Sequence, residues 1–196
     1  MKDAKVTALI DQFVALDEAA CEAKAIELGQ LGDKGLFILK RVLAASETDA
    51  RFWAVRGLWA NKSPEALTLL IRALQDKEEM VRSGAALALG ELKDETAVAA
   101  LAQLLMSDRS AGGDHAADAL GKIGQGAAAV LIKALQDEHV WVRVRAAKAL
   151  VPVESRRAIG PLFYALDDES YLVRHYSELA LTRMGIGQMV YFPASS

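Results

Sequence analysis

The segment Leu131–Leu150, LIKALQDEHVWVRVRAAKAL, decides the fold. Leu131, Ile132 and Leu135 fall at i, i+1 and i+4, which places them on one face of a helix. The polar turn around Glu138 and His139 interrupts that pattern. Val142, Ala146, Ala149 and Leu150 then form an equivalent stripe on a second helix. Two short helices of this kind cannot cover both stripes by themselves. They need neighbours built the same way.

Neighbours run along the whole chain. The second-helix phrase AAKALVPV (Ala146–Val153) has counterparts at Lys24–Leu31 (KAIELGQL), Ala54–Asn61 (AVRGLWAN), Ala85–Leu92 (AALALGEL), Ala116–Ile123 (AADALGKI) and Ser177–Met184 (SELALTRM). The starts advance by 30, 31, 31, 30 and 31 residues. A fixed period in this range marks stacked repeats, each burying its apolar face against the next. No stretch shows the period-2 alternation of a half-buried strand. The reading is an all-α chain: a right-handed α-solenoid of about six two-helix repeats over residues 1–184, with a tail at 185–196.

Punctuation agrees with this division. Gly90, Gly121 and Gly124 are expected to end second helices at left-handed positions. Pro64 and Pro161 suit the first turn of first helices. The small pairs Ala85/Ala86, Ala116/Ala117 and Ala146/Ala147 predict close helix approach.

Segments Leu70–Leu92 (LIRALQDKEEMVRSGAALALGEL) and Leu131–Leu150 resemble short HEAT-like repeats of the bilin-lyase type. The resemblance extends over roughly residues 6–184 and implies an armadillo-like superhelix with the second helices lining the concave side. For function it implies less, because such repeats serve bilin lyases, hydroxylases and many binding proteins.

Composition narrows the classes. The chain has 196 residues, 53% of them hydrophobic, and a formal net charge of −3. Residues 139–196 hold 7 Lys+Arg against 5 Asp+Glu, a net +2, which leaves −5 on the remainder. That balance argues against a nucleic-acid groove, although Arg145, Lys148 and His175 make a short cationic patch. Cys21 is the only cysteine, so neither an intrachain disulfide nor a thiolate metal cluster can form. Cys21 itself reads as a buried thiol. The N-terminal MKDAKVTALIDQF is broken by Asp3 and Asp11 and does not read as a signal peptide. No uncharged apolar run reaches the ~18 residues of a membrane span. The expectation is a cytoplasmic protein without membrane attachment.

Charged residues recur in phase. Asp76 precedes Arg82, Asp137 precedes Arg143 and Asp168 precedes Arg174, each by six residues. Arg51 occupies the arginine slot while Ala45 replaces its aspartate, and Cys21 and Gly113 replace the arginine. An array of anion sites is one reading. The other, which repeat geometry favours, is a ladder of charge-assisted hydrogen bonds joining adjacent turns. Repeat four departs most, with Gly112–Gly113 in place of Val–Arg. A late-starting helix is expected there, as a hinge, a ligand opening or a tolerated irregularity.

Solvent-facing columns of the second helices give the candidate binding surface: Phe52, Trp53, Arg56, Met80, Trp141, Val144, Arg145, Lys148, Tyr171, His175 and Tyr176. A lone solenoid can fill such columns with Lys and Glu. Aromatic and aliphatic residues there point to a protein partner.

No catalytic constellation, cofactor motif or metal set accompanies them. His-Glu pairs of the HEAT-like iron hydroxylases are missing, as are P-loop, dinucleotide and GxSxG motifs. Asp114, His115 and Asp118 supply at most two ligands one helical turn apart. Two readings follow. The first is a non-enzymatic interaction scaffold binding a protein on its concave face. The alternative is a bilin-lyase-like, chromophore-handling protein acting with a related subunit, in which Asp114, His115 or Asp118 meets the pyrrole nitrogens. Met189, Val190, Tyr191 and Phe192 of the tail would cap the last repeat, dock on a neighbouring subunit or fray.

Overall fold

The computed structural model describes residues 2–15 and 17–186, so Met189–Phe192 and the roles considered for them lie outside the described residues. Helices alternate along the chain in pairs, with no strand among the described residues. First helices are α1 (Lys2–Ala15), α3 (Asp33–Val42), α5 (Pro64–Ala73), α7 (Val98–Ser107), α9 (Ala128–Ala134) and α11 (Ile159–Ala165). Second helices are α2 (Glu18–Gln30), α4 (Thr48–Asn61), α6 (Glu79–Leu92), α8 (Ala111–Ile123), α10 (Val140–Leu150) and α12 (Tyr171–Arg183).

From α4 onward each second helix packs on its own first helix, and successive second helices pack on one another along the chain, whereas α1 packs on α4 and α3. First helices touch one another far less. This asymmetry puts the second helices on the inner side of the curved solenoid.

Small side chains allow the close inner stack. Ala85, Ala86, Ala116, Ala117, Ala146 and Ala147 are all buried. Their apolar contacts continue outward to Leu70, Leu101, Leu131 and Leu162 of the first helices, which are fully buried. The core is one continuous band along the chain.

Local signals start the helices where the sequence demands. Asp17 accepts a hydrogen bond from Ala20 N–H at 2.9 Å to cap α2, and Ser63 accepts from Ala66 N–H at 3.2 Å with Pro64 at the first position of α5. Pro161 lies in the first turn of α11, after a short 3₁₀ turn at Arg156–Ala158.

The glycines are only partly where the punctuation placed them. Gly124 has φ +81° and follows α8 directly. Gly90 instead lies inside α6 and Gly121 inside α8. The left-handed residues after α4 and α6 are Lys62 (φ 58°) and Lys93 (φ 53°). Gly90 serves packing, because a Cβ there would lie 2.9 Å from Ala119 Cα. Helices α6 and α8 approach too closely at that point for any side chain.

Candidate functional site

The arginine ladder is structural and joins adjacent turns. Arg51 grips both carboxylate oxygens of Asp76, at 2.8 and 2.9 Å, and donates to the carbonyls of Ala45 and Ser46. Arg82 pairs with Asp108 at 2.7 Å and donates to the carbonyls of Asp76 and Lys77. Arg143 does the same with Asp168 and its own turn. Each arginine therefore closes its own turn and binds the aspartate of the following repeat. Ala45 is the absent partner of Cys21, so both ends of that rung are lost together. Cys21 is buried with Sγ 3.6 Å from the Phe13 carbonyl, and burial, with Asp17 and Asp49, pushes its thiol pKa up.

Burial pushes the carboxyl groups of Asp76, Asp108 and Asp168 up. Hydrogen bonds from Arg51, Arg82 and Arg143 and from backbone N–H groups two residues on act in the opposite sense. The net effect holds all three below the usual carboxylate range.

Repeat four has Gly113 in the ladder slot where repeats two, three, five and six have arginine, and Arg145 from repeat five fills that place. The Arg145 side chain is 7% exposed, and its guanidinium donates to the carbonyls of Asp108 (2.5 Å), Ser110 (2.9 Å) and Leu105 (3.3 Å). It also pairs with Asp114 at 2.7 Å. A Cβ on Gly113 would overlap this guanidinium, with Arg145 Cζ 2.7 Å away. The Gly–Gly step is therefore neither a hinge nor a ligand opening: it is the space that Arg145 occupies. Helix α8 does begin late, at Ala111, capped by Ser110. Asp137, left without an arginine at Gly113, accepts from the backbone N–H and Nδ1 of His139.

Two predicted surface residues are thus corrected. Arg145 is buried structure, as above. Trp53 is 8% exposed and belongs to the core. The reason is the phase of the inner helices. The second residue after the column arginine is buried at Trp53, Gly84 and Arg145 and half-buried at His115 and Tyr176, so this column turns largely into the stack. Gly84 beside Phe52 (built Cβ to Phe52 Cε2 3.2 Å) and Arg145 on Asp114 show the same relation in two repeats.

The other candidates divide into two groups. Phe52, Val144, Trp141 and Tyr176 are half-buried against the core. Two guanidinium groups lie over the Trp141 ring, with Arg145 Cζ 4.9 Å and Arg109 Cζ 5.7 Å from its centre. Arg56 pairs with Glu22 and sits over Trp59, and Lys148 pairs with Asp118 at 2.9 Å. The cations expected to provide polar specificity are therefore held by carboxylates of the preceding repeat. Asp114 and Asp118 are occupied in the same way, and among the described residues His115 Nδ1 is buried with no partner.

Met80, Tyr171 and His175 do reach solvent, and Tyr171 stacks on His175 at 5.9 Å. Leu87, Val140, Leu172 and Leu179 join them on the inner helices. Of eleven exposed large apolar side chains among the described residues, six lie on α6, α10 and α12. A cavity of about 210 Å³ opens on the inner face between α2, α4 and α6, lined by Glu18, Glu22, Phe52, Trp53, Arg56, Gly84 and Leu87. A larger apolar groove of about 660 Å³ lies away from these residues, at the N-terminal end, between α1, α2 and α3.

A family model for HEAT repeats matches residues 36–112 and 113–185. The chain belongs to the HEAT-repeat family. This HEAT solenoid is similar to an archaeal HEAT-like repeat protein from Thermococcus onnurineus NA1, at 14% identity and TM-score 0.61, over 91% of this chain and 80% of that one. It is also similar to a chain of the CpcE–CpcF complex of phycocyanin lyase from Nostoc sp. PCC7120. That match has 22% identity and TM-score 0.52, over 92% and 77% of the two chains. A designed armadillo repeat protein in complex with the peptide (KR)4 matches at 18% identity and TM-score 0.53, over 90% and 98%. Likeness at these identities speaks for the fold. No curated protein matches the chain in sequence. No helix among the described residues is long and apolar enough to cross a membrane.

Proposed function

We propose that this HEAT solenoid is a non-enzymatic interaction module that binds a protein partner on its inner, concave face. The observation that carries this reading is the placement of Met80, Leu87, Val140, Tyr171, Leu172 and Leu179, all exposed and all on inner helices. Apolar surface gathered on one face of a protein marks an interaction site more often than chance exposure does. Tyr171 and the stacked His175 add aromatic anchors of the kind that concentrate binding energy. The cations of this face are tied within the solenoid, so the surface is prepared at little further ordering cost. Among proteins of similar fold, one is in complex with a peptide and another is part of the complex of CpcE and CpcF, which supports the same class of partner.

The test is affinity capture from the source organism with quantitative mass spectrometry. The comparison is wild type against a Tyr171→Ser, Leu172→Ser, Leu179→Ser variant. All three side chains are exposed, so the variant keeps its helicity and melting behaviour. A protein enriched by wild type and lost by the variant is the expected result. Identical capture profiles refute the proposal.

A further inference from the structure

We infer that the cavity at Gly84 receives a cationic side chain, Lys or Arg, carried by an apolar segment of the partner. This rests on the reading of the inner face as the partner surface and assigns the chemistry of one subsite.

The column two residues after each arginine slot holds Trp53, Gly84, His115, Arg145 and Tyr176 in repeats two to six. Only repeat three lacks a side chain there. The gap is what opens the inner face beside Phe52: its ring edge stands 3.2–3.3 Å from where a Gly84 Cβ would be, and Leu87 closes the other side. The cavity of about 210 Å³ suits one long side chain, not a folded element.

Its walls are apolar and its rim is acidic. Glu18 and Glu22 line the opening, Asp49 lies one turn before Trp53 on α4, and Glu79 begins α6 next to exposed Met80. Arg56 answers Glu22, and Glu79 accepts the Ala111 N–H. Glu18 and Asp49 have no cationic partner among the described residues. Glu18 and Glu22 on the cavity, with Asp49 one turn away on α4, therefore outnumber the single guanidinium of Arg56, while Glu79 is turned to α8. A long aliphatic stem ending in a positive charge satisfies both the walls and the rim. A carboxylate or phosphate would meet a like-charged rim.

The experiment is an NMR titration of the isotope-labelled full chain at low ionic strength. One probe is the peptide acetyl-Gly-Leu-Arg-Lys-Leu-Gly-amide, and the other is its acidic counterpart with Glu-Asp at the centre. The basic peptide is expected to shift the Gly84 amide and Trp53 indole signals, with shifts that weaken as salt rises. Glu18→Arg, an exposed change, is expected to weaken binding at least tenfold. Gly84→Leu, which fills the cavity, is expected to do the same with unchanged helicity.

Equal or tighter binding of the acidic peptide overturns the inference. So do basic-peptide shifts confined to other surfaces, or no shift up to about 5 mM peptide. None of these outcomes touches the capture experiment above. A partner lost by the α12 variant alongside any of them removes only the assignment of basic chemistry.

Discussion

Replacing Arg145 by methionine tests whether this side chain stands in for the arginine missing from repeat four. Methionine keeps much of the stem and removes five donors. The carbonyls of Leu105, Asp108 and Ser110 lose their partner inside the stack, and Trp141 loses the cation over its ring. The pair with Asp114 adds little, because that carboxylate is 59% exposed and water takes it back. Charge-assisted bonds to partly buried carbonyls set the loss at about 2–4 kcal/mol. For a chain of this size the melting midpoint falls by about 5–15 °C. Gly113→Arg alone is also destabilising, by about 1–3 kcal/mol, because its Cβ enters the space of the Arg145 guanidinium.

The double variant Gly113→Arg, Arg145→Met is the decisive case. Its new arginine takes the ladder slot, caps the turn at Ser107–Asp108 and reaches Asp137 of the next repeat. It also gains about 1 kcal/mol of helix propensity over glycine. Chemical denaturation of all four proteins gives the coupling energy directly. The account expects the double variant to exceed the additive prediction by about 2 kcal/mol or more. Coupling below about 0.5 kcal/mol refutes the compensation.

Two further predictions concern the stack. Gly90→Ala forces a methyl group to within 2.9 Å of Ala119 Cα and is expected to cost about 1–3 kcal/mol in denaturant unfolding. Asp76, Asp108 and Asp168 have carboxyl groups held below their ordinary range, so each contributes stability that is complete above the unfolded value. That stability is lost as pH falls through the lower folded value. Melting midpoints should be flat from about pH 6 to 8 and fall below about pH 4, and Asp76→Asn with Asp168→Asn should flatten the acid limb.

Periodicity alone carried the architecture. The alanine pairs and the Val–Arg step recur in phase, and each occupies its expected place in the inner stack. What the period could not show is the offset between repeats. That offset turns Trp53 and Arg145 into packing residues while Leu87, Leu172 and Leu179 stay in solvent. It also sets the ladder register, since the carboxylate that Arg51 pairs with is Asp76 of the next repeat. One signal for the Arg145 substitution was present in the sequence: Gly113 is short of an arginine, and the Val-Arg-Val-Arg run at 142–145 has one to spare. Linking the two requires knowing that side chains at that column lean toward the preceding repeat. The glycines misled for a related reason. Gly90 looks like a helix end, but helix–helix proximity, not a turn, excludes a side chain there.

Site-specific photocrosslinking in the source organism addresses the inner face most directly. Benzoylphenylalanine placed at Leu87 or Leu179 samples the concave surface, and at Tyr164, 85% exposed on first helix α11, it samples a position outside the inner row. The account predicts a discrete adduct from both inner positions and none from Tyr164. An adduct from Tyr164 with none from Leu87 and Leu179 contradicts it.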